Sequence, residues 1–280
     1  MKAQSLRCLG PHGFHRVAYY DWGETANPRT VLCVHGMTRN GRDFDYLARA
    51  LAPHMRVICP DVVGRGASEW LSHAEDYGYP LYVSDMAALL ARTSADQVDW
   101  VGTSMGGLIG MMLAAQPGNP IRRLVLNDIG PFIPKVALER LALYVGKAPR
   151  FATLNELERY LRNVNAPFGP LTDDQWHHLA EHSSCRYDDG GFAMHYDPAI
   201  AHAFAGELRD VTLWPVWDAI RCPTLVLRGK ESELLMAQTA EEMTRRGPKA
   251  RLVQLDGIGH APALMAKDQI AVIQDFLLAS

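Results

Sequence analysis

Short apolar runs, rich in β-branched residues and bounded by turn residues, recur along this chain and limit the folds that it can adopt. Each run is about as long as a buried strand, and its apolar residues are nearly continuous rather than alternating with polar ones. This pattern is typical of a parallel sheet that is covered on both faces. The runs occupy residues 30–35, 55–61, 97–103, 122–128, 223–229 and 250–256.

Helix-like stretches lie between most of these runs. Strands and helices that alternate in this way favour right-handed βαβ crossovers, so the sequence predicts an α/β fold with a doubly wound, mostly parallel sheet. We expect residues 14–21 to add an early strand and residues 268–278 a closing helix. The helix-like stretches between the runs cover residues 44–51, 82–91, 106–115 and 237–246.

The alternation stops between residues 131 and 218. This segment contains no convincing core strand, and a loop of that length would be implausible in a compact domain. We therefore predict a helical cap, or lid, at residues 131–218, inserted into a core of residues 1–130 and 219–280. An insertion between two sheet strands would lie over the carboxyl edge of the sheet, where open α/β sheets bind ligands. Its helix-like pieces cover residues 136–145, 154–163 and 173–182.

Composition limits what the chain can bind. Its 48% apolar and 21% charged residues are ordinary for a globular protein. The net charge of −3 gives no electrostatic reason to expect a nucleic acid or a membrane surface as partner. The five cysteines lack metal-binding spacing, and their scatter favours a reducing compartment. With no apolar signal segment or membrane span in the sequence, we expect a cytoplasmic protein that acts on a small molecule.

The strongest local motif is a G-x-S-x-G pattern at residues 102–106. It directly follows the strand-like residues 98–101 and directly precedes the helix-like residues 107–115, which is the context that a nucleophile elbow requires. An ordinary glycine-rich turn is the alternative interpretation. We predict that Ser104 is a nucleophile and that the N-terminus of the following helix favours the negative charge that develops beside it.

A histidine-containing loop follows the last predicted strand. Residues 257–262 read Gly-Ile-Gly-His-Ala-Pro, and the glycines allow the loop to fold inward. A general base must reach the hydroxyl of the nucleophile within hydrogen-bond distance. This loop leaves the same sheet edge as Ser104, so we predict that His260 is the base. We expect the histidines of the inserted segment to be surface or pocket residues of the cap, namely His177, His178, His182, His195 and His202.

Two further motifs accompany these residues. Residues 35–37 read His-Gly-Met, and residues 61–68 form a D-x-x-G-x-G-x-S turn. With the order of Ser104 before His260, these motifs make the chain similar to the α/β-hydrolase fold family from about Phe14 to the C-terminus. The resemblance implies a hydrolase of esters, amides, lactones or related bonds, with a helical cap over the pocket and with no metal or other cofactor.

The resemblance also implies where an oxyanion would bind. In this family the loop after the strand at residues 30–34 donates one backbone N–H, and the residue after the nucleophile donates the other. In this chain these are the amides of Met37 and Met105. Each such donor contributes on the order of 3 kcal/mol of transition-state stabilisation. We expect His35 to hold the loop by hydrogen bonds rather than to act as a base.

The acid of the predicted triad is the point at which the chain departs from the family. The commonest pattern places an Asp three residues after the glycine that ends the strand at residues 223–229, and Ser232 stands there. Some members, including small bacterial esterases and their mitochondrial relatives, use an acid after the strand that follows the nucleophile's strand, and they carry a G-x-x-S sequence like that of this chain. We therefore favour Asp128, with Glu233 as the alternative and Glu231 as a weaker one.

Three further residues are candidates for contact with the substrate. Arg39 lies beside the predicted oxyanion loop, where it would bind a substrate carboxylate or, as we favour, form an ion pair that holds the loop. Phe132 and Trp214 lie near the boundaries of the predicted cap, and either pocket lining or packing of cap against sheet explains them.

The predicted function is hydrolysis of carboxylic esters through an acyl-enzyme on Ser104. Lactonase, polyester-oligomer hydrolase and C–C bond hydrolase activities remain alternatives, because they use the same triad. Haloalkane dehalogenases and epoxide hydrolases are disfavoured, since they need a carboxylate nucleophile at this position. A small-molecule receptor without catalytic activity, built on the same fold, is the alternative from another class.

Overall fold

A central sheet of eight strands dominates the structure, a computed structural model in which residues 1–188 and 190–279 are described. The strands of two smaller sheets, one of three strands and one of two, lie between residues 127 and 224 in the sequence. The strands are β1 (Lys2–Gly10), β2 (Gly13–Trp22), β3 (Thr30–Val34), β4 (Arg56–Pro60), β5 (Val98–Thr103), β6 (Ile121–Asn127), β7 (Phe132–Ile133), β8 (Arg150–Phe151), β9 (Ser184–Arg186), β10 (Phe192–Met194), β11 (Val211–Thr212), β12 (Thr224–Gly229) and β13 (Arg251–Leu255).

Helices follow most strands of the central sheet, as the alternating pattern predicts. Short 3₁₀ helices occur at Gly41–Phe44, Ala74–Asp76, Ala166–Phe168 and Pro198–Phe204. The α-helices are α1 (Asp45–Leu51), α2 (Tyr79–Thr93), α3 (Met105–Ala114), α4 (Lys135–Ala142), α5 (Leu154–Val164), α6 (Asp173–His182), α7 (Trp214–Ala219), α8 (Ala237–Met243) and α9 (Lys267–Leu278).

The sheet has the strand order β1-β2-β4-β3-β5-β6-β12-β13, and all pairs from β4 to β13 are parallel. The doubly wound α/β fold is therefore confirmed. The register aligns the carboxyl ends of the inner strands, since Thr103 pairs with Asn127 and Asn127 pairs with Leu227. Segments that leave these strands consequently meet at one edge of the sheet.

Each face of the sheet carries its own hydrophobic cluster, because successive strand side chains point in opposite directions. Leu32 and Val34 lie in the cluster that also includes side chains of α2 and α3, whereas Val31 and Cys33 lie in the cluster with α1 and α9. This burial on both faces explains why the strands read as nearly continuous apolar runs rather than as alternating ones.

The sequence did not predict β1. This edge strand pairs antiparallel with β2, and its side chains are mostly exposed apart from Cys8. An edge strand with one buried apolar side chain has no apolar periodicity that could identify it. The predicted strand at residues 14–21 corresponds to β2, which is longer by a residue at each end.

The segment between β6 and β12 is inserted between two strands that pair in the sheet. It contains α4, α5 and α6 near the predicted positions, together with the short strands β7–β11, which the sequence did not predict. The segment contacts two loops at the carboxyl edge: Asn40 Nδ2 donates to the carbonyl oxygen of His182 at 2.8 Å, and the Gly66 amide donates to that of His195 at 2.9 Å. Within residues 1–188 and 190–279, no helix is long and apolar enough to cross a membrane.

Candidate active site

Ser104 lies on a sharp turn between β5 and α3, with φ +50° and ψ −114°. Its amide donates a 3.1 Å hydrogen bond to the carbonyl oxygen of Asn127, which fixes the turn against β6. A Cβ on Gly102 would overlap the backbone of Gly106, and a Cβ on Gly106 would overlap the carbonyl group of Val34. Both glycines of the motif are thus required by the close approach of backbone segments.

His260 lies in the loop between β13 and α9, and its imidazole reaches Ser104. Its Nε2 lies 3.0 Å from Ser104 Oγ, and its Nδ1 lies 2.8 Å from Asp128 Oδ2. A carboxylate oxygen only accepts hydrogen bonds, so Nδ1 carries the proton and Nε2 presents its lone pair to the serine hydroxyl. The loop is held by the Gly259 amide, which donates to the carbonyl oxygen of Pro167 at 2.7 Å.

Asp128 follows β6 directly and is completely buried. Its Oδ1 accepts a 2.9 Å hydrogen bond from the Gly229 amide, and its Oδ2 accepts a 2.6 Å hydrogen bond from Ser232 Oγ. Ser232 Oγ in turn accepts a hydrogen bond from the Leu235 amide at 3.1 Å. The serine at the family's usual acid position therefore supports the carboxylate that contacts His260.

The two glutamates weighed as alternative acids lie away from this arrangement. Glu233 is exposed and forms an ion pair with Arg140. Glu231 is also exposed, and its amide donates to the carbonyl oxygen of Ile258 at 2.8 Å. Among the hydrogen bonds and ion pairs of the described residues, neither carboxylate contacts His260. The structure therefore favours Asp128 over both glutamates as the carboxylate that contacts His260.

The amides predicted to bind an oxyanion belong to Met37, which lines the cavity beside Ser104, and to Met105, which follows Ser104 in the chain. Met37 lines the cavity together with the serine and His260, and Met105 is the first residue of α3. Within the described part of the chain, neither Met37 nor Met105 donates its amide N–H to an acceptor. Two such free donors beside a hydroxyl group are suited to bind an oxyanion.

His35 holds the loop that carries Met37. Its Nε2 accepts a 2.9 Å hydrogen bond from the Val62 amide, so Nδ1 carries the proton and donates to the carbonyl oxygen of Gly36 at 2.7 Å. Complete burial lowers the pKa of His35 to about 4, and the imidazole is therefore neutral near pH 7. The predicted structural role of His35 matches these contacts.

Arg65 lies behind the same loop and is completely buried. Its Nε donates to the carbonyl oxygen of Met37 at 2.8 Å, and its Nη2 lies 3.4 Å and 3.7 Å from the sulfur atoms of Met37 and Met105. Its Nη1 donates to the Val63 carbonyl oxygen and to Tyr82 Oη. In the ion pairs of the described residues it has no carboxylate partner, so a positive charge stands behind the two methionines. Sequence reasoning missed this residue, although it lies within the D-x-x-G-x-G-x-S motif.

Arg39 lines the cavity and forms the predicted ion pair. Its Nε and Nη2 each lie 2.7 Å from one carboxylate oxygen of Asp43. The guanidinium carbon lies 5.9 Å from the centre of the Phe168 ring, which belongs to the inserted segment. The side chain is thereby fixed at the wall of the cavity.

The inserted segment supplies the other wall of the cavity. Tyr144, Tyr160, Phe168 and Tyr196 line it, together with aliphatic side chains of α4 and α5. Burial raises the pKa of Tyr144 and of Tyr196 to about 12, so these hydroxyls are neutral near pH 7. Sequence reasoning missed these residues, because only the tertiary packing decides which face of each helix turns toward the sheet.

Phe132 and Trp214 do not line this cavity. The predicted contact of these two residues with the substrate is therefore wrong. Phe132 pairs with Thr212 between β7 and β11. The Trp214 ring lies beneath the Arg246 guanidinium, at 4.4 Å from its centre. Packing between elements, the alternative explanation for both aromatic residues, accounts for their positions.

Two groups of potential metal ligands occur in the described residues, and in each the carboxylate is already bound by a protein side chain. In the first group, His15 Nε2 lies within hydrogen-bond distance of both oxygens of Asp85, and burial raises the pKa of the neighbouring Cys8 thiol to about 12. The second group consists of Asp45, His178 and His182. Its carboxylate, Asp45, accepts three hydrogen bonds from the guanidinium of Arg42. The expectation of a reaction without metal stays a prediction.

Comparisons with known proteins agree with this fold. The model of a family described as alpha/beta hydrolase fold matches residues 29–265. A 3-hydroxybutyrate-oligomer hydrolase from Cupriavidus necator is 46% identical, with 97% of this chain and 96% of the relative covered. The crystal structure of an alpha/beta hydrolase from Novosphingobium aromaticivorans is 38% identical, with a TM-score of 0.87 and 98% of both chains covered. A Rickettsia typhi protein described as a hydrolase is 32% identical, with a TM-score of 0.94 and complete coverage of both chains.

Proposed function

Because this chain belongs to the α/β-hydrolase fold family, we propose that it is a serine hydrolase that cleaves carboxylic esters. Ser104 is the nucleophile, His260 the general base and Asp128 the acid that orients the imidazole. The observation that carries the proposal is the continuous chain of hydrogen bonds from Ser104 Oγ through His260 to Asp128, with distances of 3.0 Å and 2.8 Å. Ser104 and His260 line a cavity near the amides of Met37 and Met105, which have no acceptor among the described residues.

The reaction begins with proton transfer from Ser104 Oγ to His260 Nε2 as the oxygen attacks the ester carbonyl carbon. The negative charge that develops on the carbonyl oxygen is bound by the amides of Met37 and Met105. The imidazolium then gives its proton to the leaving alcohol, and the acyl group remains on Ser104. Water, deprotonated by the same histidine, attacks the acyl-enzyme, and His260 returns the proton to the serine.

Asp128 stabilises the imidazolium because its buried carboxylate accepts a hydrogen bond from the Nδ1–H group throughout the cycle. The Gly229 amide and the Ser232 hydroxyl also donate hydrogen bonds to this carboxylate, which fixes it in one position. Arg65 holds the carbonyl group of Met37, which keeps the amide of the oxyanion loop aimed at the cavity. Its buried charge also favours negative charge at the adjacent oxyanion site.

We propose that residues 131–218 form a cap over this site and that residues 1–130 and 219–280 form the hydrolase core. Tyr144, Tyr160 and Phe168 of the inserted segment lie across the cavity from Ser104 and His260, which supports this division. The predicted boundary at residue 218 falls within α7, whose Trp217 is buried in the main hydrophobic cluster. A cap that covers the site excludes water other than the molecule needed for deacylation.

As substrates we propose short oligomers of a 3-hydroxy acid, such as those of 3-hydroxybutyrate. Support comes from the 46% identical relative, whose name states this activity for that protein. The wall supplied by the inserted segment is mainly aliphatic and aromatic, and it suits a short, methyl-bearing chain. Oligomers of this kind contain ordinary carboxylic esters, so the proposed mechanism applies without change.

The location proposed for the protein is the cytoplasm. Cys8, Cys33, Cys59, Cys185 and Cys222 are all unpaired, and three of them are buried. Free buried thiols are common where thiols stay reduced, which supports this location.

A substrate panel tests the proposed function. Purified protein and its Ser104→Ala variant are incubated with the dimer and trimer of 3-hydroxybutyrate, p-nitrophenyl butyrate, a butyrolactone and a vinylogous diketone, and products are quantified by chromatography. We expect the native protein to cleave the oligomers with a higher kcat/KM than the lactone or the diketone, and the variant to cleave none. Cleavage of only the lactone or only the diketone would assign a different reaction, and binding of an ester without turnover would indicate a receptor.

A further inference from the structure

Arg39 has donors that its ion pair leaves unused. The Nε and Nη2 atoms form one edge of the guanidinium and bind the two oxygens of Asp43. Arginine carries five N–H donors, and the two on Nη1 point away from this edge. Nη1 is buried and has no hydrogen-bond partner in the described part of the chain, although the residue is only 7% exposed. Buried polar groups are nearly always paired, so we expect this atom to form a hydrogen bond with a bound molecule.

The side chain that carries these donors starts beside the proposed nucleophile. The position that a Cβ would take on Gly36 is 3.7 Å from Ser104 Cβ and 3.8 Å from Arg39 Cγ, so the two side chains flank the same glycine. Both residues line one cavity. A group bound by Arg39 Nη1 would therefore belong to the same small molecule as the ester that Ser104 attacks.

The charges around the cavity favour an anionic group at this position. Asp43 is the only carboxylate that lines the described cavity, and both of its oxygens are bound by Arg39. His35 is neutral because burial lowers its pKa to about 4, and the buried Arg65 adds positive charge behind the oxyanion loop. A guanidinium with free N–H groups prefers a carboxylate, which it binds through charge-assisted hydrogen bonds.

We propose that Arg39 Nη1 binds the free carboxylate of the substrate and thereby selects esters whose alcohol portion is itself a short hydroxy acid. The inference rests on the proposed function, because it assigns a subsite to the ester that Ser104 cleaves. In a 3-hydroxy acid oligomer, four bonds separate the last ester carbonyl carbon from the terminal carboxylate carbon. Such a short span requires both binding groups to lie in one small site, and Arg39 and Ser104 flank Gly36 and line the same cavity.

The subsite fixes which bond is cleaved. With the terminal carboxylate at Arg39, the last ester of the oligomer lies at Ser104. The bond between its acyl carbon and the alcohol oxygen breaks, His260 protonates that oxygen, and the carboxyl-terminal hydroxy acid leaves. The rest of the chain remains as the acyl group on Ser104 until water releases it. Oligomers are consequently shortened by one unit at a time from the carboxyl end.

A pair of matched substrates tests this assignment. The 3-hydroxybutyrate dimer as its free acid and the same dimer as its methyl ester are compared with native protein, Arg39→Gln and Arg42→Gln. Arg42 forms a similar ion pair with Asp45 in the same segment but does not line the cavity, so it is the matched control. For each protein, kcat/KM for the free acid and for the methyl ester is measured on the same sample. The fraction of folded enzyme affects both values equally and therefore cancels from their ratio.

We expect native protein and Arg42→Gln to prefer the free acid by about tenfold or more, as for a charge-assisted hydrogen bond. Arg39→Gln is expected to bring the ratio near one, chiefly through the free acid. An equal ratio in native protein and Arg39→Gln would overturn the subsite while leaving the esterase intact. If native protein cleaves neither dimer nor p-nitrophenyl butyrate, the proposed function fails instead. A double variant, Arg39→Met with Asp43→Leu, removes both charges and serves if Arg39→Gln does not fold.

Discussion

Ser232 Oγ donates a 2.6 Å hydrogen bond to Asp128 Oδ2, the same oxygen that lies 2.8 Å from His260 Nδ1. The residue at the usual acid position of the family is thus a second donor to a carboxylate that comes from another strand. Asp128 reaches this point because β6 and β12 are parallel neighbours, and the segments that follow them meet at one edge. A carboxylate that follows β6 thus makes the contact with His260, and the hydroxyl of Ser232 supports it.

Replacement of the two candidate acids gives the first prediction. Asp128→Asn removes the charge that stabilises the imidazolium and favours the wrong imidazole tautomer, so kcat for p-nitrophenyl butyrate is expected to fall roughly 10⁴-fold. Glu233→Gln changes an exposed residue that is paired with Arg140, and its kcat is expected to stay within about twofold of the native value. Steady-state kinetics of both variants decides between them, and the reverse order of effects would exclude Asp128 as the acid.

The second prediction transfers the acid to its usual position. Because Ser232 Oγ already contacts Asp128 Oδ2, a carboxylate on residue 232 would lie close to His260. The double variant Asp128→Asn with Ser232→Asp is therefore expected to recover at least about tenfold in kcat over Asp128→Asn alone. Ser232→Asp by itself places two carboxylates side by side and is the control, expected to lose activity through repulsion. No recovery in the double variant would show that the two positions are not equivalent.

The third prediction concerns the stability of the loop that carries Met37. His35 has its pKa lowered to about 4 in the folded protein, against 6.5 for a free histidine. The unfolded chain therefore binds the proton first, so the contribution of His35 to stability is fully present above pH 6.5 and is lost as the pH falls toward 4. The full difference is on the order of 3 kcal/mol.

A variant that lacks only the imidazole of His35 isolates this effect. The pKa of Asp61 is raised to about 6 by burial, and this carboxyl group gains stability as the pH falls, which opposes His35. The measured quantity is therefore the difference in Tm between native protein and His35→Gln at each pH from 4 to 7, in which Asp61 cancels. We expect the advantage of the native protein to shrink as the pH falls below 6.5. A constant difference across this range would contradict the role assigned to His35.

Local patterns were sufficient for most of the fold and for part of the site. The turn at Ser104 could be predicted because the strand, the glycines and the helix that define it are consecutive in the sequence. The loop of His260 could be predicted because it comes directly after the last strand. The acid could be narrowed only to Asp128, Glu233 or Glu231, because the choice depends on the conformation of the loop after β12. That conformation is fixed by contacts such as Ser232 to Asp128, which are distant in sequence.

The sequence pattern did not predict which side chains of the inserted segment line the cavity. Phe132 and Trp214 are aromatic residues near the boundaries of the inserted segment, yet they pack away from the cavity. Tyr144 and Tyr160 line it instead, because the orientation of α4 and α5 over the sheet is a tertiary property. The strand β1 escaped prediction for a related reason, since its stability comes from pairing with β2 rather than from its own apolar pattern.

The hydrolysis of p-nitrophenyl butyrate by native protein and by Ser104→Ala tests the central claim most directly. Circular dichroism and Tm establish that the variant is folded, and labelling with a fluorophosphonate followed by mass spectrometry locates the reactive side chain. We predict that kcat falls by at least about 10³-fold in Ser104→Ala and that the native protein is labelled on Ser104 alone. Undiminished hydrolysis by the folded variant, or labelling at another residue, would contradict the account.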